Sequence, residues 1–127
     1  MKELLWVGAG GFLGAVLRFS LSSWAGRTWG ANFPFGTLLV NCLGCYALGV
    51  LTVLLDRQLA GSEARLFLGV GLLGALTTFS TFGQESLDLV RRGQGALALG
   101  NVAANAILGL GAVGLGWWTA GLLTGPR

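Results

Sequence analysis

Four long runs of uncharged, mostly apolar residues dominate the chain. They cover residues 4–17, 32–55, 66–84 and 93–126, and the first extends to residue 24 if Arg18 lies at a membrane interface. A transmembrane helix needs about 20 consecutive apolar residues, and the short polar segments between the runs are typical of loops. We therefore predict an all-α membrane protein. It forms a single four-helix transmembrane domain, residues 1–127, with helices at about 4–24, 34–55, 66–90 and 95–122.

The composition supports a membrane protein. Hydrophobic residues make up 54% of the chain and charged residues 10%, and the mean hydropathy is +0.73. In water, each of the 23 glycines would destabilise a helix interior by about 1 kcal/mol relative to alanine. In a bilayer the same residues let helix backbones approach closely. The net charge of +3 favours contact of the loops with anionic lipid and not with nucleic acid.

A cluster of hydroxyl residues lies inside the third apolar run, in the segment 74–83. Polar groups at this depth need partners, and β-branched residues beside a glycine favour a local break in the helix. Irregular backbone is tolerated in a membrane only where it is buried in protein or lines a wet cavity. The segment therefore predicts that helix 3 is broken near its middle, at a permeation or ion-binding site that contains Thr77, Thr78, Ser80 and Thr81.

Asparagines in two other helices extend this polar pattern. Thr37 and Asn41 are spaced i, i+4 in helix 2, and Asn101 and Asn105 have the same spacing in helix 4. Asparagine amides can donate hydrogen bonds to an anion, although they can equally well serve only to join helices. Their coincidence with the hydroxyl cluster predicts a polar pathway.

No Asp, Glu, Lys or His lies in the central part of a predicted helix. Glu85 and Asp88 are expected toward the end of helix 3 and Arg18 toward the end of helix 1. A pathway without a titratable group at its centre indicates passive conduction and not a proton relay.

Phe79 and Phe82 are spaced i, i+3 beside the hydroxyl cluster. On an unbroken helix their rings would point away from Thr77 and Thr81. The positive edges of two rings would attract a small anion weakly, which suits a pore, whereas simple packing is the alternative interpretation.

Cys42 and Cys45 form a CxxC motif within an apolar helix, in a chain without histidine. A tetrahedral zinc site cannot be completed from these two side chains, so we interpret them as small core residues. Nucleophilic, acid–base and phosphate-binding motifs are also missing from the sequence, which predicts that the protein is not an enzyme.

Three segments in order resemble the Fluc (CrcB) family of fluoride channels: GGFLGAVLRF at 10–19, PFGTLLVNCLG at 34–44 and GLLGALTTFSTF at 71–82. The resemblance covers essentially the whole chain and is weaker in helix 4. It implies a passive, fluoride-selective channel that exports cytoplasmic fluoride across the inner membrane of a bacterium or archaeon. It also implies an antiparallel homodimer with two pores and a central structural sodium ion.

The resemblance also assigns residues. Phe79 and Phe82 match the family's pore phenylalanines, Asn41 its pore-lining asparagine, and Arg18 a basic residue at the vestibule. The main-chain carbonyls of Gly74 and Thr77 match the sodium ligands. Helix 4 departs from the family, whose polar residues there are often Ser, Thr or Tyr. With asparagines in those places, the predicted fluoride pore contains Asn41, Phe79, Ser80, Thr81, Phe82, Asn101 and Asn105.

Positive charges are almost evenly divided between the two predicted sides of the membrane. One side receives Lys2, Arg57, Arg65 and Arg127, and the other receives Arg27, Arg91 and Arg92, with Arg18 nearest to it. A bias of basic residues normally sets orientation. A chain with so little bias is expected to insert in both orientations, so that opposed copies can pair as an antiparallel dimer.

Two other classes of protein fit part of the sequence. A small multidrug exporter of this length would need a membrane-embedded carboxylate, and Glu3, the acidic residue of helix 1, lies at its very end. A non-transporting assembly subunit would explain the glycines and asparagines, but it would leave the Thr/Ser/Phe segment without a purpose.

Overall fold

The computed structural model describes residues 1–125, in which all regular elements are helices and no strand occurs. Residues 126 and 127 lie outside the described part, and with them the end of the fourth apolar run and Arg127 of the charge comparison. The elements are α1 (Lys2–Trp29), α2 (Phe35–Asp56), α3 (Ser62–Ala64), a π-helical segment (Arg65–Leu73), α4 (Gly74–Leu76), α5 (Phe79–Arg91) and α6 (Gly95–Leu123).

These elements form four spans that are long and apolar enough to cross a membrane. The third span, Ser62–Arg91, combines α3, the π-helical segment, α4 and α5, and the mean hydropathies of the four spans lie between 1.6 and 2.2. The prediction of an all-α protein with four such helices is confirmed. α1 continues past residue 24 and ends where Gly30 adopts a left-handed φ of 84°, a conformation that favours glycine.

The third span is broken between α4 and α5. Thr77 has a ψ of 153°, and Thr78 has φ −150° and ψ 113°, so both residues are extended. The π-helical segment that precedes them is itself uncommon in proteins and is often found at functional sites. The structure therefore places a discontinuity near the middle of this span, as the hydroxyl cluster predicts.

Glycines bring α1 against the third span with backbone touching backbone. A Cβ on Gly10 would overlap the carbonyl oxygen of Phe67, and one on Gly14 would overlap the carbonyl oxygen of Leu72. From the other side, a Cβ on Gly71 would lie 2.6 Å from the carbonyl oxygen of Val7. In lipid, where helices gain no hydrophobic drive to associate, such close packing is a main source of attraction.

α2 packs along α6 by the same means. A Cβ on Gly49 would overlap the carbonyl oxygen of Val113, and one on Gly116 would overlap the carbonyl oxygen of Tyr46. Between α2 and the third span lies a small apolar core, to which Val40, Leu51, Leu73 and Leu76 belong. This packing places the α2 residues around Asn41 beside the break.

Gly14→Val should disrupt the contact between α1 and the third span, because the new side chain would occupy the space of the Leu72 backbone. We expect the free energy of unfolding to fall by about 3 kcal/mol, measured by denaturation of the purified protein in detergent. Gly8→Val is the matched control, since among residues 1–125 no atom outside the adjoining backbone of α1 and the two chain neighbours lies within 4 Å of a Cβ placed on Gly8. Equal stability of the two variants would contradict the packing described.

Candidate functional site at the break in the third span

One side chain from α2 satisfies the main chain at the break. Asn41 Oδ1 accepts a hydrogen bond from the Thr78 amide at 2.8 Å, and Asn41 Nδ2 donates to the Thr78 carbonyl oxygen at 3.3 Å. Unpaired backbone groups at membrane depth cost several kcal/mol each. Asn41 therefore makes the extended conformation of Thr78 tolerable inside the span.

The hydroxyl cluster caps the start of α5. Thr78 Oγ1 accepts from the Thr81 amide at 3.2 Å and donates to Thr81 Oγ1 at 2.9 Å, and Ser80 Oγ lies 3.4 Å from Thr78 Oγ1. Threonine at this position satisfies one of the free amides that begin every helix. Because α5 starts here, the positive end of its dipole lies among these hydroxyl groups.

The Gly74 and Thr77 carbonyl groups are among those that lose their helical partners at the break. In a continuous helix the Thr78 amide would bond the Gly74 carbonyl, and the Thr81 amide would bond the Thr77 carbonyl. Both amides donate elsewhere: the Thr78 amide to Asn41 Oδ1 and the Thr81 amide to Thr78 Oγ1. The Gly74 and Thr77 carbonyl oxygens are thereby left to other donors or to a cation.

The asparagines of α6 join this arrangement through their side chains. Asn41 Nδ2 donates to Asn105 Oδ1 at 2.9 Å, and Asn105 Nδ2 donates to the carbonyl and side-chain oxygens of Asn101 at 3.1 and 3.0 Å. Asn101 Nδ2 donates to Ser86 Oγ at 2.9 Å. Asn101 is fully buried, with 0% of its surface exposed, whereas Asn105 is half-buried.

A cavity of about 590 Å³ adjoins the break. Its wall is mainly apolar. The polar lining residues are Asn41, Asn105, Thr77 and Thr78, and the lining also includes Gly74, Phe79, Phe82 and Cys45. The rings of Phe79 and Phe82 lie 5.4 Å apart between centroids and are tilted by 54°. Phe79 is 84% exposed, so the cavity is open on its side. We call this space the phenylalanine cavity.

The break changes which residues share a surface. On an unbroken helix Phe82 would face away from both Thr77 and Thr81, but the extended residues reorient α5 relative to α4. As a result Thr77 lines the phenylalanine cavity together with Phe82. Thr81 lines a different space.

That second space is a cleft of about 280 Å³ between α1, α2 and α5, which we call the polar cleft. Arg18 lies on it, as the predicted vestibule residue, and Thr78 borders both the polar cleft and the phenylalanine cavity. The other polar groups that line the cleft are Ser22, Ser23, Thr37, Thr81 and Glu85.

Glu85 lies toward the end of the third span, as expected, but its buried contacts were not predicted. It lies two turns after the break, where its Oε1 accepts from Thr37 Oγ1 at 2.8 Å. Its Oε2 is buried and has no hydrogen-bond partner among residues 1–125. The i, i+4 spacing of Thr81 and Glu85 was the available signal, because it places both on one face of α5.

Not every predicted pore residue lines a cavity. Asn41, Asn105, Phe79 and Phe82 line the phenylalanine cavity, and Thr81 lines the polar cleft. In the described part of the chain, Ser80 and Asn101 line neither of these two spaces. Both nevertheless bond to residues that do, which are Thr78 and Asn105.

Thr78→Val should destabilise the start of α5, because it keeps the β-branched shape and removes the hydroxyl that caps the helix. We expect a loss of about 1 kcal/mol, measured by denaturation, with faster amide exchange in the first turn of α5. Thr52→Val is the control, since Thr52 Oγ1 bonds only the Leu48 carbonyl of its own helix. Thr78→Ser, which keeps the hydroxyl, should behave like the wild type; a loss as large as that of Thr78→Val would contradict the capping role.

Known proteins resemble this chain over almost its whole length. The model of the family described as "CrcB-like protein, Camphor Resistance (CrcB)" matches residues 5–117. Two relatives named "Fluoride-specific ion channel FluC" are 47% identical over 116 residues (Shewanella amazonensis; 91% of this chain, 94% of the relative) and 45% identical over 118 residues (Hydrogenovibrio crunogenus; 92% and 89%).

A further relative of the same name, from Chloroflexus aurantiacus, is 41% identical over 126 residues and covers 95% of this chain and 100% of its own. These matches confirm the resemblance on which the sequence analysis relied. With four helices long and apolar enough to span a bilayer, the chain is a multi-pass membrane protein, and it belongs to the CrcB family.

Proposed function

We propose that this protein is a passive, fluoride-selective channel that releases cytoplasmic fluoride across the inner membrane of a bacterium or archaeon. The observation that carries the proposal is the 41–47% identity, across more than nine-tenths of the chain, to relatives named fluoride-specific ion channels. The geometry at the break supports it independently, because hydroxyl and amide donors meet aromatic rings there.

The proposed route of the anion passes from the polar cleft to the phenylalanine cavity. Arg18 attracts the ion to the cleft, and the hydroxyls of Thr78 and Thr81 replace part of its water shell, aided by the positive end of α5. Hydroxyl hydrogens rotate, so these groups can donate to an ion and return to each other. Thr78 borders both spaces, which makes it the natural point of transfer.

In the phenylalanine cavity the ion meets ring edges and the Asn41 amide. Fluoride is small and strongly hydrated, so it needs closely spaced donors to replace its water. Weak attraction by the positive ring edges of Phe79 and Phe82 allows an ion to leave as readily as it enters.

We further propose that two copies form an antiparallel homodimer with two pores. Phe79 is 84% exposed in the single chain, and the phenylalanine cavity is open beside it. A second copy on this face would close the cavity, and each copy would bring one break. The near balance of basic residues, with Lys2, Arg57 and Arg65 opposite Arg27, Arg91 and Arg92, supports insertion in both orientations.

We also propose a structural sodium ion at the break. The Gly74 and Thr77 carbonyl oxygens lack their helical donors, because the Thr78 and Thr81 amides bond elsewhere. Carbonyl oxygen is the kind of ligand that a hard cation prefers. We propose that these two oxygens, from each of two copies, hold the ion; it supplies positive charge that joins the two breaks.

Glu85 favours a second candidate, which is proton-coupled transport as in small multidrug exporters. Such coupling requires a membrane-embedded carboxylate, and Glu85 Oε2 is buried without a partner among the described residues. The two candidates differ in their driving force. A pH gradient imposed without a fluoride gradient should move no fluoride through a passive channel, whereas a coupled carrier would accumulate it.

In liposomes that contain the purified protein, fluoride efflux should follow the electrochemical gradient and far exceed chloride efflux. Phe82→Ile keeps the bulk and removes the ring, so we expect fluoride flux to fall by roughly tenfold, equivalent to about 1.4 kcal/mol. Phe67→Ile is the control, since Phe67 packs against Trp6, away from the cavity. Equal fluoride and chloride rates would refute fluoride selectivity, and a wild-type rate in Phe82→Ile would refute the role of the ring.

Replacing sodium by N-methylglucamine should destabilise the dimer. At a sodium concentration a hundred times its Kd, binding stabilises a protein by about 2.7 kcal/mol, which a shift in melting temperature reports. Thr77→Val should keep the sodium dependence, because the proposed ligand is the main-chain oxygen, while Thr77 Oγ1 bonds the Leu73 carbonyl. Identical melting with and without sodium would exclude the site.

Adding lysines to one end of the molecule should bias its orientation. The pair Leu59→Lys and Ser62→Lys lies between α2 and the π-helical segment, and cells that express only this variant should lose most fluoride export. Co-expression with a copy carrying Gln94→Lys and Ala96→Lys, biased the opposite way, should restore it. The neutral pair Leu59→Gln and Ser62→Gln is the control; full export by the first lysine variant alone would contradict an antiparallel dimer.

A further inference from the structure

We propose that Asn105, Asn101 and Ser86 are positioning residues, which fix the orientation of the Asn41 amide and do not bind the ion themselves. This role presupposes the channel function proposed above. The evidence for it is a series of side-chain hydrogen bonds. The sequence predicts that the two asparagines of α6 line the pore, whereas here they act on Asn41.

The hydrogen bonds form a chain in which every donor points the same way. It begins at the Thr78 amide and ends at the Phe82 carbonyl oxygen. The successive donor–acceptor distances are 2.8, 2.9, 3.0, 2.9 and 2.8 Å, along Thr78, Asn41, Asn105, Asn101, Ser86 and Phe82. Chains of aligned hydrogen bonds polarise and strengthen one another. This relay, as we call it, therefore connects the break to the backbone of a pore phenylalanine.

The relay allows Asn41 only one orientation. With Oδ1 on the Thr78 amide, Nδ2 faces Asn105 Oδ1. A reversed Asn41 amide would place donor against donor at Thr78 and acceptor against acceptor at Asn105. Both Nδ2 hydrogens are in use, one on Asn105 at 2.9 Å and one on the Thr78 carbonyl at 3.3 Å. The longer bond is the one that an anion can take over while the Thr78 amide stays paired.

Asn105 has no donor to spare for an ion, and Asn101 is buried out of an ion's reach. Asn105 Nδ2 gives its hydrogens to the carbonyl and side-chain oxygens of Asn101. Asn101 is fully buried, with 0% exposure, and its side chain bonds Ser86 Oγ. An ion that bound either residue directly would break the relay and leave buried polar groups unpaired, which is costly.

A double-mutant cycle separates positioning from direct binding. Asn41→Ala and Asn105→Leu should each lower fluoride flux by roughly tenfold, the effect of about one hydrogen bond, and the fluoride-to-chloride ratio should fall in both. If Asn105 acts through Asn41, the double variant loses no more than Asn41→Ala. If the losses multiply to roughly a hundredfold, Asn105 contacts the ion and the proposal is wrong.

A second measurement does not depend on transport. Ser86→Ala removes the far end of the relay, outside the cavity lining, and should speed amide hydrogen exchange at Thr78 several-fold, as should Asn105→Leu. Asn105→Ser, whose hydroxyl both accepts and donates, should recover part of the protection. Thr52→Ala, whose hydroxyl bonds only its own helix, is the control and should leave the exchange unchanged.

The outcomes are distinguishable. If the wild-type protein carries no fluoride, the proposed function fails, while the Thr78 exchange still tests the relay. If Ser86→Ala and Asn105→Leu both exchange at the wild-type rate, the relay does not hold Asn41 and the proposal is overturned, whatever the protein transports.

Discussion

The hydrogen bond from the Thr78 amide to Asn41 Oδ1, 2.8 Å long, is the interaction on which the site depends. An amide that leaves its helix inside a membrane must find another acceptor, because no water is available to replace it. By providing that acceptor, Asn41 permits α4 to end and α5 to begin. The same bond withdraws the donor of the Gly74 carbonyl. The Asn41 side chain thus accounts for the Gly74 carbonyl, and the Thr78 hydroxyl, which accepts from the Thr81 amide, accounts for the Thr77 carbonyl at the start of α5.

Close packing by glycine is what lets Asn41 reach the break. One turn after Asn41, a Cβ on Gly44 would overlap the Thr77 methyl group, so α2 touches the extended residues directly. Gly10 and Gly14 hold α1 equally close to the first half of the third span. Two helices without bulky side chains at the contact, α1 and α2, therefore pack closely around the third span. This packing fixes the geometry of the break.

The sequence predicts the spans well because hydropathy depends only on local composition. It also predicts the break, since Gly74 and the hydroxyl residues conflict with a continuous apolar helix. The contact of Glu85 with Thr37 escaped prediction because it depends on how α2 packs against α5. The hydrogen bonds of Asn105 and Asn101 escaped prediction for the same reason. An i, i+4 pair indicates which face of α6 is polar, but not which residues that face contacts.

Asn41 holds the main chain open at Thr78, and a distance measured in lipid bilayers tests this role most directly. Solid-state NMR can report the separation between Asn41 Cγ and the Thr78 amide nitrogen in isotopically labelled protein. The 2.8 Å hydrogen bond and a carbonyl length of about 1.23 Å place these nuclei no more than about 4 Å apart. A separation well beyond that, with the Thr78 amide bonded to the Gly74 carbonyl of a continuous helix, would contradict the account.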